Sequence, residues 1–390
     1  MIRYKITIEA LSPIHIGCDE VLSPVEFVID SEERKLIKFS LFDLLEVLSL
    51  EEKKELDRIS NKKDPSALVD LYKFYAYRVK DKIKKLTNIK KYDIPYELAK
   101  RYDEVLRLTP NEILKNFNNF GIPRTYFNPL TDQPIIPGSS LKGALRTGYL
   151  EFLLKKNENN PSIREIIERV NNINLQTRRR EINEILETSE KELQKKLLNF
   201  SGPSEDPFGA LKISDLNPIF PIETKILYQV NVSKQKGETR GRLTLPIEVI
   251  PPGAKFEGIL EIKVETENLK RNPVKIEMSK LIEGVWGHFR VILKNEYDLA
   301  TNIGFKIFGL HESHKMDIKE RRVILVKLGK HSGAEAVTID KIRKILIRKE
   351  GGRTEYHASP TTIWLASEQK KNISQAMPFG WALLRFEKLS

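Results

Sequence analysis

One stretch constrains this chain more than any other: Ile135-Ile136-Pro137-Gly138-Ser139-Ser140-Leu141-Lys142-Gly143-Ala144-Leu145-Arg146-Thr147. An apolar pair runs into Pro-Gly, which stops a strand, and two serines then predict a capped helix with Leu141, Ala144 and Leu145 on one face. The first turn of such a helix leaves backbone N–H groups without intrahelical partners, and its dipole adds partial positive charge. Lys142 and Arg146 are four residues apart and share a helix face. Amides, hydroxyls and two cations at a glycine-permitted approach make a candidate phosphodiester site. A nucleotide-triphosphatase loop is excluded, because it needs Gly, four residues, then Gly-Lys-Ser/Thr, whereas here Lys142 precedes Gly143. On spacing alone, a glycine-bearing strand-to-helix turn with solvated cations stays open as the alternative.

The charge distribution favours the first reading. Net charge is +12. Residues 321–353 carry ten Lys/Arg against three Asp/Glu, and residues 225–242 carry five against one, so two short stretches hold nearly all the excess. Local clustering of this kind is the footprint of a polyanion binder. A surface generally rich in Lys, Glu and Arg would explain the 31% of charged residues but not their imbalance. With 390 residues, of which 40% are hydrophobic, the chain can bury real cores in about two to three domains. It has no apolar run of the roughly 18 residues that span a membrane. The opening Met1-Ile2-Arg3-Tyr4-Lys5-Ile6-Thr7-Ile8 alternates like a strand and does not read as a signal peptide. The single cysteine, Cys18, excludes an intrachain disulfide and a cysteine-built zinc cage, and a cytoplasmic protein is the simple reading.

Taken in order, residues 2–9 predict a strand, followed by the segment Leu11-Ser12-Pro13-Ile14-His15-Ile16-Gly17. Residues 25–30 and 34–39 predict a strand pair. Ser40 and Asp43 then have the spacing of a capping box. Residues 41–118 show helical periodicity and predict a helical insertion, broken near Pro65 and Pro95. Residues 155–200 hold ten Lys/Arg and eight Asp/Glu, the mark of a solvated helical face or a mobile segment. Residues 225–250 predict a long β-hairpin whose tip carries Lys234, Lys236, Arg240 and Arg242. Residues 255–264 predict another strand, 274–286 a helix, and 323–328 a strand leading into Gly329-Lys330-His331-Ser332-Gly333. A last strand covers 379–387. The whole predicts an α+β fold with a ferredoxin-like core. The division is an N-terminal unit at 1–264, holding the insertion, the charged segment and the hairpin, and a second, related C-terminal α+β unit at 265–390 with the glycine loop 329–333.

The segment from Leu11 to Gly17, the Ile136–Arg146 motif, Ile213-Ser214-Asp215 and the late glycine loop together resemble the RAMP superfamily of CRISPR-associated proteins. The basic hairpin before Glu248-Val249-Ile250-Pro251-Pro252-Gly253, the loop Leu328–Gly333 and the closing Phe379-Gly380-Trp381 are similar to the fifth-subunit family of type III-A Csm effector complexes. The resemblance implies an RNA-recognition-motif core and a guide-RNA-binding subunit that caps the RNA 3′ end and supports crRNA maturation. It implies backbone and small Csm subunits as partners, and leaves open the recruitment of cellular nucleases. Phosphate contacts carry over to Ser139, Ser140, Lys142 and Arg146 beside Gly138. The candidate RNA-binding set is completed by His15 and Gly17, the hairpin residues Lys234, Lys236, Arg240 and Arg242, and Gly329, Lys330 and Ser332.

Catalytic chemistry has weaker footing. Related folds use a histidine as general base in guide-processing endoribonucleases, which makes His15 the alternative catalytic residue. His15 lies between Ile14 and Ile16, however, with no identifiable partner. Asp19 and Glu20 do not align with a target-cleaving aspartate and read as loop residues, so no target cleavage is expected. His311 and His314 could share a helix face, but two ligands do not make a metal site. Trp286, Trp364 and Trp381 read as packing residues before base-stacking ones. No metal and no cofactor are expected.

Overall fold

The computed structural model describes all residues except 118–119, 175–177, 241–243, 264–266, 349–353 and 390. In the first strand, Ile2–Ala10, Ile6, Ile8 and Ala10 point inward, and Lys5, Thr7 and Glu9 point outward. This is the period-2 pattern of a sheet with one covered face. The strand pairs antiparallel with Lys255–Ile262 on one side and Trp381–Lys388 on the other. Leu211–Ile213 extends the sheet beyond the former, and Val323–Lys327 beyond the latter.

Two helices cover this sheet, Gly138–Lys156 and the 26-residue Met278–Ile303. They approach closely at Gly148 and Gly284: a Cβ on Gly148 would lie 2.7 Å from the Val285 Cα, and one on Gly284 2.8 Å from the Phe152 Cβ. Leu141, Leu145, Tyr149, Val285 and Phe289 join Ile6, Ile8 and Phe256 in one core. First strand, helix, Leu211–Ile213, Lys255–Ile262, helix and Trp381–Lys388 form the βαββαβ order of a ferredoxin-like, RNA-recognition-motif core, with Val323–Lys327 added at its edge. The α+β class follows the sequence reading. Strands from both sides of the 264/265 division share this sheet and this core.

A second sheet joins Met377–Pro378, Thr362–Ser367, Lys225–Ser233, Ile89–Asp93, Lys35–Phe39 and Phe27–Asp30, with Leu245–Val249 also paired to Lys225–Ser233. Both its faces are covered in the Phe27–Phe39 region: Phe27, Ile29 and Leu36 enter one core, and Val28, Ile37 and Phe39 another. Residues 265–390 therefore add strands to both sheets. Among the described residues, the only sheet they build alone is the hairpin of Ile345–Arg348 with Thr354–His357.

Local differences from the sequence reading have physical causes. Among its described residues the insertion forms helices and turns except for Ile89–Asp93, where neighbouring strands supply hydrogen bonds that outweigh the periodicity. Ser40 caps nothing with its side chain, and the capping box forms instead at Ser49, whose N–H donates to Glu52 while its hydroxyl accepts from the Glu52 N–H. Gly17–Leu22 is a strand paired with Ile122–Thr125 and not a loop, and it carries an exposed Asp19 at φ +60° and an exposed Glu20. The charged segment forms Pro161–Asn171 and Arg179–Leu198, with the spaced ion pair Glu187–Lys191 at 2.6 Å on the outer face. No helix among the described residues is long and apolar enough to cross a membrane.

Candidate nucleic-acid interface

The chain leaves the first strand at Ala10 and reaches the second sheet through the His15 segment. Leu11 and Ser12 donate to the Trp381 carbonyl, and Ile14 exchanges hydrogen bonds with Ile250. Here the late glycine loop closes against it. The Lys330 N–H donates to the His15 carbonyl at 2.8 Å. This approach requires glycine at 329, where φ is +82° and a Cβ would sit 2.4 Å from that same carbonyl oxygen. The Ser332 hydroxyl donates to the Gly329 carbonyl at 2.9 Å, bracing the loop. Gly17 is exposed beside it, and a Cβ there would lie 3.8 Å from the Lys330 Cδ. His15, Gly17, Gly329, Lys330 and Ser332 therefore form one group, with Lys330 on its exposed rim.

His15 is only 1% exposed. Its Nδ1 lies 2.7 Å from the Glu248 carbonyl, which can only accept, so Nδ1 carries the proton and Nε2 the lone pair. Burial lowers its pKa and holds it neutral. The His331 ring packs against Trp364 and Phe379 with centroids 4.7 and 5.4 Å away. His331 has φ +68°, and its Nε2 is buried with no protein hydrogen-bond partner.

The hairpin tip reaches the far end of the glycine loop. Lys234 Nζ pairs with Glu335 at 2.9 Å, two residues beyond Gly333. The tip folds back on its own strand, with Gly237 donating to Ser233 and Arg240 to Asn231. Lys236 and Arg240 remain exposed. Arg242 lies outside the described residues.

The Gly138 motif lies elsewhere in the fold and is wired inward. Its helix begins after Pro137 as N-cap, so no serine hydroxyl caps it. The Gly138 N–H donates instead to the Asp215 carboxylate at 2.9 Å, which sets an acid at the helix start. The close approach that glycine permits is to the protein's own backbone, since a Cβ would lie 2.3 Å from the Ile213 carbonyl. Ser139 is exposed and Ser140 half-buried. Lys142 and Arg146 share a face as their spacing predicts, but Lys142 donates to the Leu211 carbonyl at 2.7 Å. Arg146 makes two bonds to Asp206, at 2.8 and 3.1 Å, over the Phe208 ring. Burial lowers the Lys142 pKa.

A buried charge network behind His15 was not singled out from the sequence. Glu248, 1% exposed, accepts from Arg124 Nε at 3.1 Å and from the Thr224 hydroxyl at 2.7 Å. Arg124 also donates to Asp132 at 2.6 Å, and its guanidinium lies 3.5 Å from the Phe127 ring centroid. The signal was present: an acid between Ile247 and Val249 in an apolar strand needs a buried cation. The Cys18 thiol meets the Arg124 carbonyl at 3.5 Å. Trp381 is fully buried, donating to Glu296 at 2.7 Å. His311 and His314 rings are 5.4 Å apart, with His314 3.7 Å from Glu9. Among the described residues no cluster of three potential metal ligands occurs.

No curated protein matches the sequence. A chain of the Csm–crRNA–target RNA ternary complex of a type III-A CRISPR-Cas system is similar, with a TM-score of 0.56 at 18% identity, covering 98% of this chain and 100% of that one. T. onnurineus Csm5 gives a TM-score of 0.52 at 18% identity, covering 97% and 99%. The fold is thus shared with these proteins over essentially the whole length. The model of the RAMP superfamily matches residues 7–304, and the chain belongs to that superfamily.

Proposed function

We propose that this chain is a guide-RNA-binding structural subunit of a type III-A effector complex, one that caps the 3′ end of the guide, supports its maturation and does not cut RNA. One observation carries the reading. The His15–Gly17 segment and the Gly329–Gly333 loop, more than 300 residues apart in sequence, are locked together by a backbone bond with Lys330 at the exposed rim. A small-residue surface and a flexible, exposed cation are what a phosphodiester chain needs for close passage. The exposed Lys236 and Arg240 on the hairpin tip extend the cationic surface. Membership of the RAMP superfamily and the full-length likeness to Csm5 support the same role, with guide RNA and other Csm subunits as partners.

A second reading, endoribonuclease with His15 as general base, draws on the fixed tautomer that leaves Nε2 with its lone pair. Burial opposes it, because a base 1% exposed cannot reach a ribose hydroxyl. The test is to titrate the purified chain against labelled guide RNA over a series of KCl concentrations. The structural role predicts steeply salt-dependent binding, with a log–log slope of about −0.7 for each phosphate contact, and RNA recovered intact. Salt-insensitive binding rejects it. Cutting at defined sites that His15→Ala abolishes establishes the second reading.

A further inference from the structure

A cleft of about 900 Å³ opens beside the interface, walled by the second sheet and by the turn that follows Ile122–Thr125. Lys38 and Lys90 line it and stand directly opposite each other on the antiparallel strands Lys35–Phe39 and Ile89–Asp93. Like charges in that register oppose pairing, so the arrangement is electrostatically unfavourable on its own. Arg124 brings a third cation to the same point. All three converge on Asp132, with Arg124 at 2.6, Lys90 at 3.4 and Lys38 at 3.7 Å. Glu248 is the second acid, 3.1 Å from Arg124 and 3.7 Å from Lys90. Three cations therefore face two carboxylates. Asp132 holds its place at φ +52° on a turn pinned by Phe127–Pro134 pairing. Lys35, Lys91, Glu20 and Glu223 also line the cleft, so five cations stand against four carboxylates once Glu248 is included.

We propose that the Lys38–Lys90 wall of this cleft is a second binding site for single-stranded nucleic acid, taking the sugar–phosphate backbone of a short run of nucleotides. The inference rests on the reading that the chain binds RNA. Arg124 is 3% exposed and spends its fork on Glu248 and Asp132, so Lys38 and Lys90 are the groups that meet a phosphate. Two observations favour nucleic acid over an acidic peptide. Phe127 supplies a half-buried aromatic ring of the kind on which bases stack. The cleft also continues the interface already described, because Gly17 pairs with Thr125, the neighbour of Arg124, and Glu20 of the same strand reaches the cleft. A strand passing Lys330 and Gly17 runs on toward Lys38 and Lys90.

The test uses the full-length chain and fluorescein-labelled single-stranded oligouridylate, followed by anisotropy across a KCl series. Lys38→Ala with Lys90→Ala is expected to weaken binding about tenfold and to flatten the log–log salt slope by about 1.4, the loss of two phosphate contacts. Asp132→Asn, at a position where asparagine tolerates positive φ, removes the competing anion and is expected to tighten binding about threefold. Lys90 also donates to the Asp132 carbonyl, so if the double variant does not fold, Lys38→Ala alone is measured, with about threefold weakening expected. Wild-type binding with all variants unchanged in affinity and slope overturns the cleft site and leaves the RNA-binding reading standing. No salt-dependent binding by the wild type overturns both. Displacement of the RNA by polyglutamate as effectively as by unlabelled RNA assigns the wall to an acidic protein segment and overturns the proposal.

Discussion

Gly329→Ala and Gly143→Ala are the same chemical change with opposite expected signs. At Gly329 the backbone has φ +82°, and the new Cβ would stand 2.4 Å from the His15 carbonyl oxygen. Holding alanine in the left-handed region costs about 1–2 kcal/mol. The contact also forces the loop away from His15, opening the 2.8 Å bond from the Lys330 N–H, and a buried backbone bond lost in this way costs about 1–3 kcal/mol. Together these give a loss of about 3 kcal/mol. Gly143 is exposed within the helix Gly138–Lys156 and meets nothing within 4 Å of a built Cβ. Alanine there is expected to stabilise by about 0.5–1 kcal/mol through backbone entropy and helix propensity. Urea unfolding of wild type and both variants reads these directly. RNA titration of Gly329→Ala is expected to show weaker binding, since Lys330 moves with the loop. If Gly329→Ala stays within about 0.5 kcal/mol of wild type, or shifts in the same direction as Gly143→Ala, the loop is not locked on His15 and the reasoning fails.

Three further outcomes are expected. Arg146→Ala and Asp206→Ala should each lower stability by about 1–2 kcal/mol and should not add in the double variant; additive losses would show that the pair does not couple. Glu296→Ala should cost about 3–5 kcal/mol in urea unfolding, because it strands the buried Lys327, which it pairs with, beside Trp381, whereas Glu296→Leu with Lys327→Met should recover most of that loss; equal losses would contradict it. Burial pushes the pKa of both His288 and His331 down to about 4. Each ring therefore takes up a proton more readily unfolded than folded, and stability should fall as pH drops from about 6.5 toward about 4, by up to about 3 kcal/mol per ring. Urea midpoints that do not change between neutral pH and pH of about 5 would rule this out.

The first sheet was legible because Ile2–Ala10, Lys255–Ile262 and Trp381–Lys388 carry either period-2 alternation or an apolar run, and the central helix because Pro137-Gly138 announces its start. The Ile89–Asp93 strand was hidden. Its Ile-Lys-Lys-Tyr-Asp sequence has little strand character of its own, and it is a strand because Lys35–Phe39 offers it a complete hydrogen-bonding edge. The joining of His15 and Gly17 with Gly329 and Lys330 could be suspected only from resemblance, since no local pattern links segments so far apart. Lys142 and Arg146 show the opposite limit. Spacing put them on one face, but whether a cation meets solvent or an internal acid depends on Asp206 and Leu211, which only tertiary structure brings near. Arg124 and Glu248 were readable in principle, as opposite charges set in apolar strands.

The central claim is that an anionic strand passes the rim where the glycine loop closes on the His15 segment. Photocrosslinking of the chain, assembled with a 4-thiouridine-substituted guide RNA, followed by mapping of the crosslinked peptides, tests it most directly. The account predicts adducts on residues 15–20 and 329–333 with the RNA recovered uncut. Adducts confined to the outer face of Arg179–Leu198, or a guide cut during the incubation, would contradict it.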